Sequence, residues 1–190
     1  MAEMKVQRQF PLRAEALAAP RGGPSIAMSE PLARFIFRGD AEAAKLCGGA
    51  FGLALPHEVC RASAAGARAA LWLGPDEWLL LAPETERAIL GAAMAQALAR
   101  APNALVDVSH RQIALSITGA HAADLLASHC MLDLDEGAFP AGMCTRTLFA
   151  KAEIVLWRKG RDDFHIEVWR SFAPYLAECL REASLDAGAD

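Results

Sequence analysis

Phe164-His-Ile-Glu-Val-Trp-Arg-Ser-Phe-Ala-Pro-Tyr-Leu-Ala-Glu-Cys-Leu180 decides the fold, because it repeats the stretch from Trp78 to Met94 at a constant offset of 86. Trp78, Leu80, Ala82, Ile89, Leu90, Ala93 and Met94 correspond to Phe164, Ile166, Val168, Tyr175, Leu176, Cys179 and Leu180. In each copy, alternation with a period of two gives way to apolar spacing of three and four. That change reads as a strand followed by an amphipathic helix. Gly39 and Leu46 match Gly119 and Leu126 at an offset of 80, so the second copy carries an insertion, which we assign to Met131–Cys144.

Working outward, each copy predicts the same order of elements. Arg34–Arg38 is a short aromatic and β-branched strand ended by Gly39-Asp40, and Asp40 caps the next helix. That helix is expected to bury Ala43, Leu46, Cys47, Ala50 and Phe51. Arg68–Leu73 and Trp78–Ala82 form a hairpin around Gly74-Pro75-Asp76. A helix from about Glu84 to Arg100 is expected to turn Ile89, Leu90, Ala93, Ala97 and Leu98 inward.

In the second copy, Gln112–Thr118 is a strand closed by Gly119. A helix then carries Leu125, Leu126, His129 and Cys130, and Glu153–Trp157 and Phe164–Trp169 form the hairpin. Ser171 is the expected cap of a last helix with the stripe Phe172, Tyr175, Leu176, Cys179, Leu180 and Ala183. The fold class is therefore α+β, two tandem βαββα lobes packed together. A unit of about 80 residues buries little more than about 60% of its unfolded surface, so each lobe is marginal alone. We expect a poorly ordered lead-in over residues 1–24 and a single two-lobed domain over 25–186. Lobe one spans about 25–103, a linking strand 104–110, and lobe two 111–186.

The 190 residues carry a net charge of −4 and are 54% apolar, which excludes a disordered chain. Roughly forty of those residues are alanines, each of which removes little area from water. No basic stripe or arm exists for nucleic acid. No apolar run approaches the 18 or so residues that cross a bilayer, and the charged N-terminus is unlike a secretory leader. These features predict a soluble cytoplasmic protein. Cys47, Cys60, Cys130, Cys144 and Cys179 are odd in number and lack a Cys-x-x-Cys pair, so we expect them to be reduced and inert, most of them buried.

Residues that suggest chemistry fail on spacing. In a strand, Ser109 and His110 point to opposite faces, so Asp107, Ser109 and His110 do not read as a triad. No Gly-x-Ser-x-Gly elbow is present. A hydrolase using Cys144 or Ser109 lacks a base at suitable spacing. On one helix, His121 and His129 would stand about 12 Å apart at 1.5 Å per residue, too far for one metal ion. His57 and His165 have no partner at ligand spacing. Gly22-Gly23 and Gly48-Gly49 do not form a phosphate cradle after a strand. Trp72, Trp78 and Trp157 read as core or sheet-face residues. Trp169 beside Arg170 has the character of an interface anchor, although core packing is the favoured reading. From Arg146 to Arg170 the charges are mixed, as on a solvated or protein-facing surface.

Several stretches together resemble the gamma subunit of heterotetrameric sarcosine oxidase. They are Val106-Asp-Val-Ser-His-Arg-Gln112, Leu132-Asp-Leu-Asp135 with Phe139-Pro140-x-Gly142, Lys151-Ala-Glu-Ile-x-Leu-Trp157, and Phe164-His-x-Glu-Val-Trp-Arg-Ser-Phe-Ala173. Gly74-Pro-Asp-Glu-Trp-Leu-Leu80 fits as well, and the likeness covers roughly residues 26–183. The resemblance implies the fold of the folate-binding domain of glycine-cleavage aminomethyltransferases. It also implies an accessory, structural subunit of an enzyme that demethylates sarcosine to glycine. By the same resemblance this chain has no cofactor of its own. FAD, FMN, NAD, zinc and tetrahydrofolate belong to partner alpha, beta and delta subunits. Arg111, Arg146, Lys151, Trp169 and Arg170 are the candidate subunit contacts. The alternative is a stand-alone folate-binding or aminomethyl-transfer protein, with a pterin between the lobes and Asp107 as its carboxylate partner.

Overall fold

A computed structural model describes residues 11, 12, 17 and 23–187, the side chains of the last two excepted. Lobe one contains β2 (Leu32–Gly39), α1 (Ala41–Phe51), β3 (Ala62–Ala65), β4 (Arg68–Gly74), β5 (Glu77–Pro83) and α2 (Arg87–Ala97). Lobe two repeats the order with β7 (Gln112–Thr118), α3 (Ala122–Ala127), β8 (Cys144–Phe149), β9 (Ala152–Gly160), β10 (Asp163–Trp169) and α4 (Ala173–Ala187). Each lobe has one strand more than the periodicity predicted, because β3 and β8 are short edges with little apolar alternation.

Two further strands, β1 (Ser25–Met28) and β6 (Asn103–Asp107), each precede a lobe in sequence and pair with the first strand of the other. The sheets run β3-β4-β5-β2-β6 and β8-β9-β10-β7-β1, so the exchange is reciprocal. The linking strand expected over 104–110 is therefore β6, which ends at Asp107 and is followed by a turn. The lead-in over residues 1–24 falls mostly outside the described residues. Leu12 and Leu17, which are described, are buried in the lobe-two core.

Alternation along the strands divides the burial. Ala33, Phe35 and Phe37 of β2 join Trp78, Leu80, Leu90 and Met94 in a core beneath α1 and α2. Leu115, Ile117, Phe164, Ile166, Leu176 and Leu180 build the matching core beneath α3 and α4. The opposite faces meet in a third core, where Leu71, Leu79 and Leu81 lie against Cys144 and Val155. The order of layers is thus helices, sheet, sheet, helices. On one side, bonds from Ala62 N–H to Gly142 O (2.9 Å) and from Cys144 N–H to Cys60 O (2.8 Å) join the β3 and β8 edges.

Asp40 caps α1 as expected, accepting from Ala43 N–H at 2.8 Å, and Gly52 ends the helix with φ 77°, where a β-carbon would be strained. Several inward faces differ from the periodic reading. In α1, Ala44 and Gly48 are buried while Leu46 is exposed. In α2, Leu90 and Met94 are buried, as is Leu98 just after the helix, and Ile89 is 74% exposed. Phe172, just before α4, and Tyr175 within it are exposed, and Ala173 and Ala177 join Leu176 and Leu180 on the inner face. In each helix some large side chains are buried, Phe51, Leu90, Met94, Leu176 and Leu180 among them, and others are left outside, because an alanine-rich helix offers several apolar faces of which the sheet covers one. The last helix begins at Ala173, two residues beyond Ser171.

The insertion is held by Leu134 and Phe139, which are buried in the lobe-two core, and by one polar side chain. Arg158, buried on β9, donates from Nη1 to Leu134 O (3.0 Å) and Phe139 O (2.8 Å), and its guanidinium lies over the Phe164 ring.

Candidate functional site

The space between the sheets opens at one end as a cleft of about 200 Å³. Arg111, Gln112 and Trp169 border it where β7 and β10 pair, with Arg146 and Glu153 from lobe two and Glu77 and Val106 from lobe one. Arg146 donates to Glu77 Oε1 at 2.7 Å and lies 3.9 Å from Glu153, so its charge is offset within the cleft. Arg111 stacks its guanidinium over Trp169 at 5.0 Å from the ring centre. Its Nε is buried and has no hydrogen-bond partner among the described residues, and the same holds for Oε1 of Gln112, which is 6% exposed. Buried polar atoms are normally paired, and of the three unpaired ones among the described residues these two border the cleft, the third being Nε1 of Trp157.

Three of the five candidate contacts meet here. Trp169 is 42% exposed, which corrects the reading of it as a core residue. Its position at the end of β10 places it on the sheet-facing side, beyond the covered area. Arg170 borders an adjoining recess with Arg34 and Gln112, and its N–H donates to Arg111 O at 3.0 Å. Lys151 is exposed in the turn between β8 and β9 and does not line the cleft.

Deeper between the sheets lies an ionic cluster that the sequence reading missed. Arg34 Nε on β2 donates to Glu167 Oε2 on β10 at 2.6 Å, and His165 Nε2 lies 2.9 Å from Glu167 Oε1. Arg34 is 2% exposed and Glu167 fully buried. Burial pushes the Glu167 carboxyl up, but the Arg34 charge and the His165 and Arg34 hydrogen bonds outweigh it and hold it below the usual carboxylate range. A partial signal was present in the chain: Arg34 and Glu167 each sit between apolar residues in the interior of a strand, Arg34 between Ala33 and Phe35 and Glu167 between Ile166 and Val168.

Asp107, Ser109 and His110 also come together, though not as a triad. They occupy the end of β6 and a turn, so strand alternation was the wrong reason for rejecting one. Ser109 Oγ donates to Asp107 Oδ1 (2.7 Å) and accepts from Arg34 N–H (3.0 Å), while Arg87 Nε donates to Asp107 Oδ2 (2.6 Å). Arg87 Nη1 lies 2.7 Å from His110 Nε2. Burial raises the Asp107 carboxyl, and bonds from Ser109 and Arg87 lower it by more. This network braces the linker. Asp107 borders an open groove of about 670 Å³ between α2 and β6, not the space between the lobes.

His121 precedes α3 and lies 3.0 Å from Asp124, whereas His129 follows the helix and contacts Ser128 and the Phe149 ring. Among the described residues, no group of three His, Cys, Asp or Glu side chains could hold a metal ion. All five thiols are free and all but Cys60 are buried, with desolvation pushing Cys47 and Cys144 up to about 12. Such thiols are protonated and poor nucleophiles. No described helix is long and apolar enough to cross a membrane.

The family described as "Sarcosine oxidase, gamma subunit family" matches residues 38–186. The sarcosine oxidase subunit gamma of Corynebacterium sp. (strain P-1) is 34% identical over 135 residues, which cover 70% of this chain and 66% of that relative. This chain thus spans slightly less than two thirds of that relative's length. The solved heterotetrameric sarcosine oxidase from Corynebacterium sp. U-96 contains a chain that superposes with a TM-score of 0.87 at 26% identity, over 96% of this chain and 97% of that one. The glycine cleavage aminomethyltransferase of Bartonella henselae shares the fold, with a TM-score of 0.65 at 14% identity over 88% of this chain and 47% of that one. The tandem lobes, the exchanged strands and these matches agree: the chain belongs to the sarcosine oxidase gamma subunit family.

Proposed function

We propose that this chain is the accessory gamma subunit of a cytoplasmic, heterotetrameric, flavin-dependent sarcosine oxidase, and that its role is structural. The observation that carries this reading is the near end-to-end superposition on a chain of the solved heterotetramer. The geometry supports it, since the polar groups that could act chemically are tied into bracing contacts. Asp107 and Ser109 hold the linker, and Glu167 joins the sheets. The partners are the alpha, beta and delta subunits, which would carry FAD, FMN, NAD, zinc and tetrahydrofolate. The assembled enzyme would oxidise sarcosine to glycine, releasing hydrogen peroxide and either formaldehyde or methylenetetrahydrofolate.

Co-expression with those three subunits tests the reading. We expect the chain to elute with a yellow complex that oxidises sarcosine, whereas elution alone as a colourless species would refute it. Trp169→Ala tests the contact surface. As an exposed anchor it should weaken assembly about 30-fold, equivalent to about 2 kcal/mol, while the melting temperature of the isolated chain stays within about 2 °C. A large drop in melting temperature with assembly unchanged would return Trp169 to a packing role. A stand-alone folate protein is disfavoured, because its proposed carboxylate, Asp107, is held by Arg87 and Ser109 outside the space between the lobes. Saturable micromolar tetrahydrofolate binding by the purified chain would revive it.

A further inference from the structure

We propose that the outer edge of β6 accepts an extended strand from a partner subunit, with a carboxamide side chain of that strand entering the cleft between the sheets. The inference rests on the accessory-subunit reading and deepens it by naming the docking element and its chemistry.

β6 ends its sheet, and no other strand among the described residues pairs with its far side. Arg34 N–H faces the linker after β6, donating to Ser109 Oγ, and Val108 N–H donates to Arg34 O at 2.8 Å. In an antiparallel ladder this parity continues, so Val106 and Ala104 bond to Ile36 and Arg38. The N–H and C=O groups of Leu105 and Asp107 then point outward. Exposed edges are often protected by lysine, proline or a bulge, or by another charge, and the one charge on β6, Asp107, is paired with Arg87. Asn103-Ala-Leu-Val-Asp107 has no lysine, proline or bulge, and Val106 is 52% exposed.

Both faces of this edge open into recesses. Leu105 and Asp107 border the groove of about 670 Å³, whose other wall includes Ala88, Gly91, Ala92 and Ala95 of α2. Val106 borders the cleft of about 200 Å³ that holds Arg111 and Gln112. Side chains of an added strand alternate between faces, so successive residues would enter one recess and then the other. On the groove side, the small helix residues leave room for apolar side chains. On the cleft side, the unpartnered atoms are a donor, Arg111 Nε–H, and an acceptor, Gln112 Oε1. An Asn or Gln side chain offers a partner to each, an accepting oxygen and a donating nitrogen, once the Arg111 and Gln112 side chains turn those atoms toward the cleft. A carboxylate would place a second acceptor against Gln112 Oε1.

Other occupants fit less well. Of the residues before β1, the described Leu12 and Leu17 are already buried in the lobe-two core. A second copy pairing through β6 would present Ala104 and Val106 to the cleft, and neither carries a hydrogen-bonding side chain.

Residue-resolved amide exchange on the chain alone and in the complex with its alpha, beta and delta subunits provides the test. Ala104 and Val106 should be protected in both states, whereas Leu105 and Asp107 should slow at least about tenfold only on assembly. Val106→Lys and Gln112→Leu should each weaken assembly about tenfold without lowering the melting temperature of the isolated chain. Failure to assemble at all would overturn the accessory-subunit reading. Assembly without slowed exchange at Leu105 and Asp107 would overturn the strand addition alone. Slowing in the isolated chain that grows with its own concentration would make the occupant a second copy, and would equally defeat the proposal.

Discussion

Glu167 shows how much one residue can decide. Its carboxylate has lost all contact with water, and Arg34 and His165 replace the lost solvation across the junction of the two sheets. Replacing a buried pair with apolar residues is often neutral, but removing one partner leaves an uncompensated charge. We therefore expect Glu167→Ala to cost about 3–5 kcal/mol in urea unfolding, and Arg34→Met with Glu167→Leu to recover most of it. The carboxyl is held below its ordinary value near 4.5, which fixes the sign of the pH dependence. Its contribution is complete above that value and is lost as pH falls through the lower folded one. The stability gap between the native chain and Glu167→Gln should therefore be widest near neutrality and close in acid, in a urea series taken down to about pH 3. A gap that persists unchanged in acid would mean that the charge of Glu167 contributes nothing. Neither Arg34 nor Glu167 could be paired from the sequence, since they are far apart in the chain and belong to different lobes.

At the scale of elements, strands were more legible than helix faces. The β4–β5 and β9–β10 hairpins lie within a few residues of where alternation and turn residues place them, because a strand commits every second residue to one face. Helix faces were partly right: Cys47, Phe51, Leu90, Leu176 and Leu180 are buried as expected while Leu46, Ile89 and Tyr175 are not, since an alanine-rich helix has many candidate stripes and the sheet chooses among them. Ile89 and Leu71 make the difference measurable. Ile89→Ala alters a side chain that is 74% exposed and should change stability by less than about 0.5 kcal/mol. Leu71→Ala opens a cavity in the core between the sheets and should cost about 2–5 kcal/mol. Equal effects in thermal unfolding would mean that α2 turns its periodic stripe inward after all. The short strands β1, β3, β6 and β8 were hidden or misbounded because edges carry little of the apolar pattern that betrays a central strand.

For the molecule as a whole, the reciprocal exchange of β1 and β6 makes two marginal lobes into one body. Each lobe completes the other's sheet, and both bury one sheet face in a shared core. A chain cut between α2 and β6 should therefore give halves that lack cooperative unfolding alone and regain it when mixed, as read by circular dichroism; two independent transitions would contradict the exchange. From the sequence itself came the repeat, the α+β class, the order of the principal elements, the capping of α1 and the family likeness, all of which depend on local periodicity or on short motifs. Tertiary structure alone decided which strand completes which sheet, which helix residues face inward, the pairing of Arg34 with Glu167, and the gathering of Arg111, Gln112, Arg146 and Trp169 around one cleft. The division has a physical cause: a residue's neighbours along the chain fix its period and its turn, but contacts between distant segments depend on how whole faces settle against one another, and no local pattern encodes that choice.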